Sequence, residues 1–131
     1  MNWYIKVMKQ SFDYKGRARR KEFWMFILFN TIFVLITMSL ILFLRYIMND
    51  FDSKDGLVEL LRSFIGIYIL AILIPSLALT VRRLHDVGKS GWMILVSFIP
   101  IIGEIWLLIL MFTESNSNTN EYGVNPKEIG I

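Results

Sequence analysis

A chain of 131 residues would suit one ordinary globular domain, but 55% of it is hydrophobic and ten residues are phenylalanine. That composition points to lipid, not water, as the solvent of its helices. The absence of cysteine excludes disulfides, thiolate metal sites and cysteine nucleophiles. A membrane location accounts for the net charge of +3 without a nucleic-acid partner.

The first dozen residues put Trp3, Tyr4, Val7 and Met8 at helical spacing, with Lys6, Lys9 and Gln10 mostly on other faces. This pattern predicts a short helix lying in the membrane interface, with aromatic rings at headgroup depth. Gly16 breaks it, and the basic run Arg17, Arg19, Arg20, Lys21 follows.

Three apolar runs come next, over 23–44, 63–81 and 91–113, the last interrupted by Glu104. About 20 helical residues cross a hydrocarbon core of about 30 Å, so each run is long enough to span. The whole chain, 1–131, therefore reads as a single all-α membrane domain. It comprises a cytoplasmic basic segment (1–22), a three-helix bundle and a polar tail (114–131). Trp3, Trp24 and Trp92 sit where interfacial anchors belong. In the first span Asn30 asks for an interhelical partner, whereas hydroxyls can bond back to their own helix. The connection around Asp50, Asp52, Lys54 and Asp55 is polar loop, and 57–62 adds a helical turn before the second span. Pro75 predicts a kink there.

Sidedness follows from charge. Residues 1–22 carry seven basic residues and the connection 82–90 carries Arg82, Arg83 and Lys89, against four basic residues elsewhere. Lys and Arg near helix ends stay cytoplasmic. With three crossings, the N-terminus is inside and the C-terminus outside. Pro100 and Gly103 bracket a break in the third run, and a re-entrant hairpin there would return the tail to the cytoplasm. Its arms of 9 and 10 residues are each too short to cross, so a single kinked crossing is the expected form.

Four motifs occur in order: 16–24 (GRARRKEFW), 82–92 (RRLHDVGKSGW), 100–103 (PIIG) and 122–126 (YGVNP). Together they resemble the YhaH-like family of small bacterial inner-membrane proteins, a domain of unknown function (805). The resemblance covers nearly the whole chain and implies a location in the bacterial cytoplasmic membrane. It brings no activity, cofactor or catalytic residue.

Catalysis finds little support in the residues. His85-Asp86 falls short of a metal-dependent phosphohydrolase site, which needs several histidines where this chain has one. Ser90 is the one serine near His85, without a nucleophile elbow, and Gly88-Lys89-Ser90 lacks the upstream glycine of a phosphate loop. No enzyme, cofactor or metal is expected. The cations Arg17, Arg19, Arg20, Lys21, Arg82, Arg83 and Lys89 would gather at the cytoplasmic headgroup layer, opposed by Glu22 and Asp86. There they would either set orientation or hold anionic phospholipid headgroups. Membrane lipids, other membrane proteins or further copies of the chain are the expected partners. An acid near mid-helix costs about 2.5–3.5 kcal/mol unless protonated, paired or wetted. Glu104 therefore marks either a site near the outer interface, within reach of Arg45, or the constriction of a transporter or channel subunit.

Overall fold

The computed structural model describes residues 2–47 and 56–128. The loop expected around Asp50, Asp52, Lys54 and Asp55 lies outside the described residues. Those described are helical, apart from loops, turns and one isolated bridge between Asn120 and Gly123. α1 runs Asn2–Lys9, α2 Arg20–Ile47, α3 Gly56–Asp86 and α4 Ile102–Phe112; a 3₁₀ helix, Gly91–Phe98, precedes α4.

Among the described residues, α2 and α3 are the two helices long and apolar enough to cross a membrane. At about 1.5 Å per residue they reach about 42 and 46 Å. Both exceed the spans expected from the sequence, because their polar ends, Arg20–Glu22 and Arg82–Asp86, are helical too. Most of their large apolar side chains point outward: Leu35, Ile36, Leu42, Ile67 and Leu70 are all more than half exposed. Such a surface is stable only against acyl chains or other apolar helices.

The chain divides into two compact units. The smaller, Ile27–Leu73, pairs α2 with α3 antiparallel. Ile41 packs with Val58 and Ile65, flanked by Leu44 and Leu61. Further along, the Tyr68 hydroxyl donates to Asn30 Oδ1 at 2.5 Å, and the ring of Phe33 lies 4.6 Å from that of Tyr68. Asn30 thus meets its hydrogen-bonding need across helices, as a polar side chain within a span must.

The larger unit, Met1–Phe26 with Ile74–Ile131, holds the polar residues of interest. Here the third expected span takes another form. Residues 91–113 do not make one crossing helix; the chain reverses at Ile99–Ile101, where Ile101 has φ 68°. A positive φ at a β-branched residue is costly and persists only where the surroundings enforce it. Gly103 permits the reversal, because a Cβ there would overlap the Val96 carbonyl and lie 3.2 Å from Ser97 Cα.

Both ends of this hairpin return to the last turns of α3. Gly91 abuts Val81 and His85, and the Arg83 guanidinium donates to the carbonyls of Met111 and Thr113. Eight residues at about 2.0 Å and eleven at about 1.5 Å give two arms of about 16 Å, half a hydrocarbon core. The arms are indeed too short to cross; they need not, because they turn back.

The tail follows the hairpin back. Reading the third run as one crossing puts residues 1–22 and the tail on opposite sides, yet the structure joins them. Arg17 donates to the carbonyls of Asn116 (2.6 Å), Asn118 (2.9 Å) and Gly123 (3.2 Å). α1 packs on the same unit, with Val7 buried and the Tyr4 ring stacked on Phe26 at 5.4 Å. Its outward face is Ile5, Met8 and, just beyond the helix, Phe12. Of the face expected to lie in the membrane interface, Trp3, Tyr4, Val7 and Met8, Val7 is buried and Tyr4 stacks on Phe26, whereas Met8 stays exposed.

Candidate functional site

The end of α3 gathers the charged motif residues into one buried cluster centred on Asp86. Arg17 Nε donates to Asp86 Oδ1 at 3.0 Å, Arg83 donates to Oδ2, and the Ser115 hydroxyl donates to Oδ2 at 2.5 Å. The side chains of Arg17, Arg83 and Asp86 are all at most 1% exposed. Two guanidinium groups share one carboxylate, so the trio keeps a net positive charge. Main-chain carbonyls absorb it. Arg17 takes four, including that of Asp86 itself. Arg83 takes the last carbonyls of α4, the negative pole of that helix.

Around this trio the other motifs close. Ala18 N donates to the Arg82 carbonyl at 3.1 Å, and Asn116 N to the Asp86 carbonyl at 3.0 Å. α3 ends through Gly88 at φ 71°, with Lys89 N reaching back to the Leu84 carbonyl at 2.9 Å. The His85 ring stacks on Tyr122 with centroids 3.8 Å apart and planes 1° apart. Its Nδ1 lies 3.2 Å from the Gly16 carbonyl, and Asn120 donates to the His85 carbonyl at 2.8 Å. Burial lowers the His85 pKa below its usual 6.5, opposed by the Gly16 hydrogen bond. Because the Gly16 carbonyl can only accept, the proton sits on Nδ1, which donates to it.

The cations expected to set orientation or to hold lipid headgroups thus divide into two groups. Arg17 and Arg83 bind Asp86 and carbonyls; Arg19 binds the Pro126 carbonyl. Arg82 is buried and donates to Gln10 and, at 3.4 Å, to Ala78. Arg20 is half-exposed, 3.7 Å from Glu114. Lys21 and Lys89 face outward. Glu22 makes its ion pair with Lys6 of α1 at 2.9 Å, and among the arginines it acts electrostatically on Arg82.

The remaining expectations fall elsewhere. Ser90 accepts from Trp92 N as the cap of the 3₁₀ helix. The Asp86 carboxylate faces arginines and Ser115, so Ser90, His85 and Asp86 are not linked as a triad. Trp92 is 79% exposed, as an interfacial anchor would be. Trp24 stacks on Phe112 at 4.4 Å, and Trp3 meets Tyr4 edge-on. Glu104 stands exposed in the first turn of α4, beside the hairpin tip, with no hydrogen bond or ion pair to a described residue.

Sequence reasoning alone misses the tail's part in this site. Ser115, Asn116, Asn120 and Tyr122 are all site residues, and Asn125 is buried, its amide donating to the Ser117 carbonyl. The Tyr-Gly-Val-Asn-Pro motif is the one signal pointing there.

A family described as a protein of unknown function (DUF805) matches residues 11–124, a stretch from just before Gly16 to just after Gly123. The chain belongs to this family. It is 41% identical over 127 residues to Inner membrane protein YhaI of Escherichia coli K12, covering 97% of each chain. It is 38% identical over 129 residues to Inner membrane protein YhaH of the same strain, covering 97% of this chain and 98% of the relative. A third relative there, Uncharacterized protein YiiR, is 24% identical over 150 residues. No solved structure matches the chain. The first two names state an inner-membrane location, which the apolar surfaces of α2 and α3 independently fit; none of the three names states an activity.

Proposed function

We propose that the chain is a non-enzymatic inner-membrane protein with two crossings and a re-entrant hairpin, both termini being cytoplasmic. It acts through contacts with anionic lipid and with other membrane helices. The observation that carries this reading is the division of labour among its cations. Arg17, Arg19 and Arg83 are turned inward and fasten the N-terminal segment, hairpin and tail into one polar head. Lys9, Lys15, Lys21 and Lys89 are left exposed around it. Each such lysine contributes about 1 kcal/mol of attraction to an anionic surface. The exposed faces of α2, α3 and the hairpin, with Phe98 81% and Ile101 72% exposed, supply the apolar contact. Mass measurement of the protein released directly from native membranes tests this. Retained anionic phospholipid or a retained protein partner is expected; a bare monomer would contradict the reading.

A second reading, a transporter or channel subunit, draws support from Glu104. A carboxylate unpaired among the described residues and about 12 Å along α4 from its Phe112 end is costly in acyl chains. It would be tolerated in a wet constriction between several copies. Glu104→Gln should then abolish proton or cation flux through reconstituted oligomers, and unchanged flux would remove this reading.

A further inference from the structure

Lys6 and Lys9 stand one turn apart on α1 and, with Ile5 and Gln10, line an open groove of about 530 Å³. A second cavity of about 290 Å³ shares Lys6 and Gln10 and extends to Gly16, Arg17 and Tyr122. Three cations line these two cavities, and no described lining residue is acidic. Their availability differs. Arg17 has its nitrogens occupied, and Lys6 is held from one side by Glu22. Lys9 is exposed and makes no hydrogen bond or ion pair with a described residue. Gln10 accepts from Arg82 through Oε1, which leaves its amide nitrogen free to donate.

Arg82 adds a further element behind Gln10. It is 3% exposed, and one terminal nitrogen, Nη2, is buried without a partner among the described residues. Asp13 and Glu22 are the carboxylates that act on it, and neither makes an ion pair with it. A buried guanidinium of this kind projects positive potential into the adjoining space with little screening. The rim supplies the other half of the recognition. Ile5, Met8 and Phe12 form the exposed apolar face of α1, which puts the groove at the boundary between acyl chains and headgroups.

We infer that this groove binds a phosphate group, held by Lys9, Lys6 and the Gln10 amide against the field of Arg82 and Arg17. The inference rests on the lipid-surface reading and narrows it to one site. An anionic phospholipid headgroup and a free phosphate ester share this chemistry, and the test separates them.

The full-length protein is delipidated in detergent and titrated with phosphatidylglycerol, phosphatidylcholine or inorganic phosphate, bound species being counted by native mass spectrometry. Phosphatidylglycerol or phosphate should bind in preference to phosphatidylcholine. Lys9→Gln should weaken that binding about fivefold, the worth of one near-surface charge, Lys9→Arg should restore it, and Lys89→Gln, a charge outside the groove, should weaken it clearly less than Lys9→Gln. Binding of phosphatidylglycerol without inorganic phosphate identifies the lipid as the source. Saturable binding of inorganic phosphate that Lys9→Gln weakens identifies free phosphate. Equal weakening by Lys9→Gln and Lys89→Gln would overturn the groove and leave general attraction to anionic lipid standing. Failure of the wild type to bind any anionic species would overturn both.

Discussion

Replacing Asp86 by alanine should cost about 3–5 kcal/mol of stability, the largest loss expected from any single substitution in the polar head. Among the described residues its carboxylate is the one acidic group bonded to Arg17 and Arg83, and all three side chains are sealed from solvent. Removing it leaves two buried positive charges a few ångströms apart, with their neighbouring carbonyls as sole compensation. Arg83 Nε already has no partner among the described residues, so little reserve exists. Ser115 would lose its acceptor as well.

The consequence should spread to the tail. Residues 116–123 are held through Arg17, the main chain of Asp86 and His85. A glutamate-specific protease should cleave the exposed Glu121 bond faster in Asp86→Ala than in the wild type. Asp86→Asn should fall between them, keeping the shape and one acceptor but losing the charge. The triple variant with Arg17→Met and Arg83→Met should be more stable than Asp86→Ala alone, because it leaves no uncompensated buried charge. Thermal unfolding in detergent measures the series. An Asp86→Ala protein as stable as the wild type would show that the trio does not hold the head together.

Two features of the chain were legible in the sequence for clear physical reasons. Uninterrupted apolar runs at 23–44 and 63–81 dictate two long helices, and no tertiary information is needed to see them. Asn30 likewise announces a partner, because an amide in a span has no solvent to bond. The third run illustrates where such reasoning ends. Hydropathy over 91–113 is as high as in the other two runs, so length alone favours a crossing. What decides otherwise is local: Gly103 lets the backbone of Val96 and Ser97 approach where any side chain would collide. The sequence marks the break with Pro100 and Gly103 but not the angle between the arms.

The arginines show a second limit. Positive charge at helix ends is legible. Whether a guanidinium faces lipid phosphate or its own chain depends on where distant carbonyls fall. Arg17 and Arg19 reach carbonyls about a hundred residues away, at Asn116, Asn118 and Pro126. Those acceptors belong to a tail whose Asn- and Ser-rich composition reads as plain loop. It is loop in hydrogen-bonding pattern, and yet fixed, because arginine forks and the His85–Tyr122 stack replace the ladder of a regular element.

The second prediction concerns the side of the membrane on which the tail lies, and its effect is all-or-none. The wild type has no cysteine, so single cysteines report without background. Three positions are informative: Lys15→Cys beside the arginine run, Glu59→Cys at the far end of α3, and Glu128→Cys in the tail. If α2 and α3 each cross once and the hairpin turns back, residues 15 and 128 share a compartment and residue 59 faces the other. A single crossing by 91–113 would instead put 128 with 59. No intermediate arrangement satisfies the arginine–carbonyl bonds, since Arg17 and Arg19 span less than the bilayer thickness. The deciding measurement is labelling of these three variants in intact cells and in inverted vesicles with a membrane-impermeant thiol reagent. Residues 15 and 128 should be blocked in cells and labelled in inverted vesicles, with residue 59 the reverse; labelling of 128 together with 59 in intact cells would contradict the account.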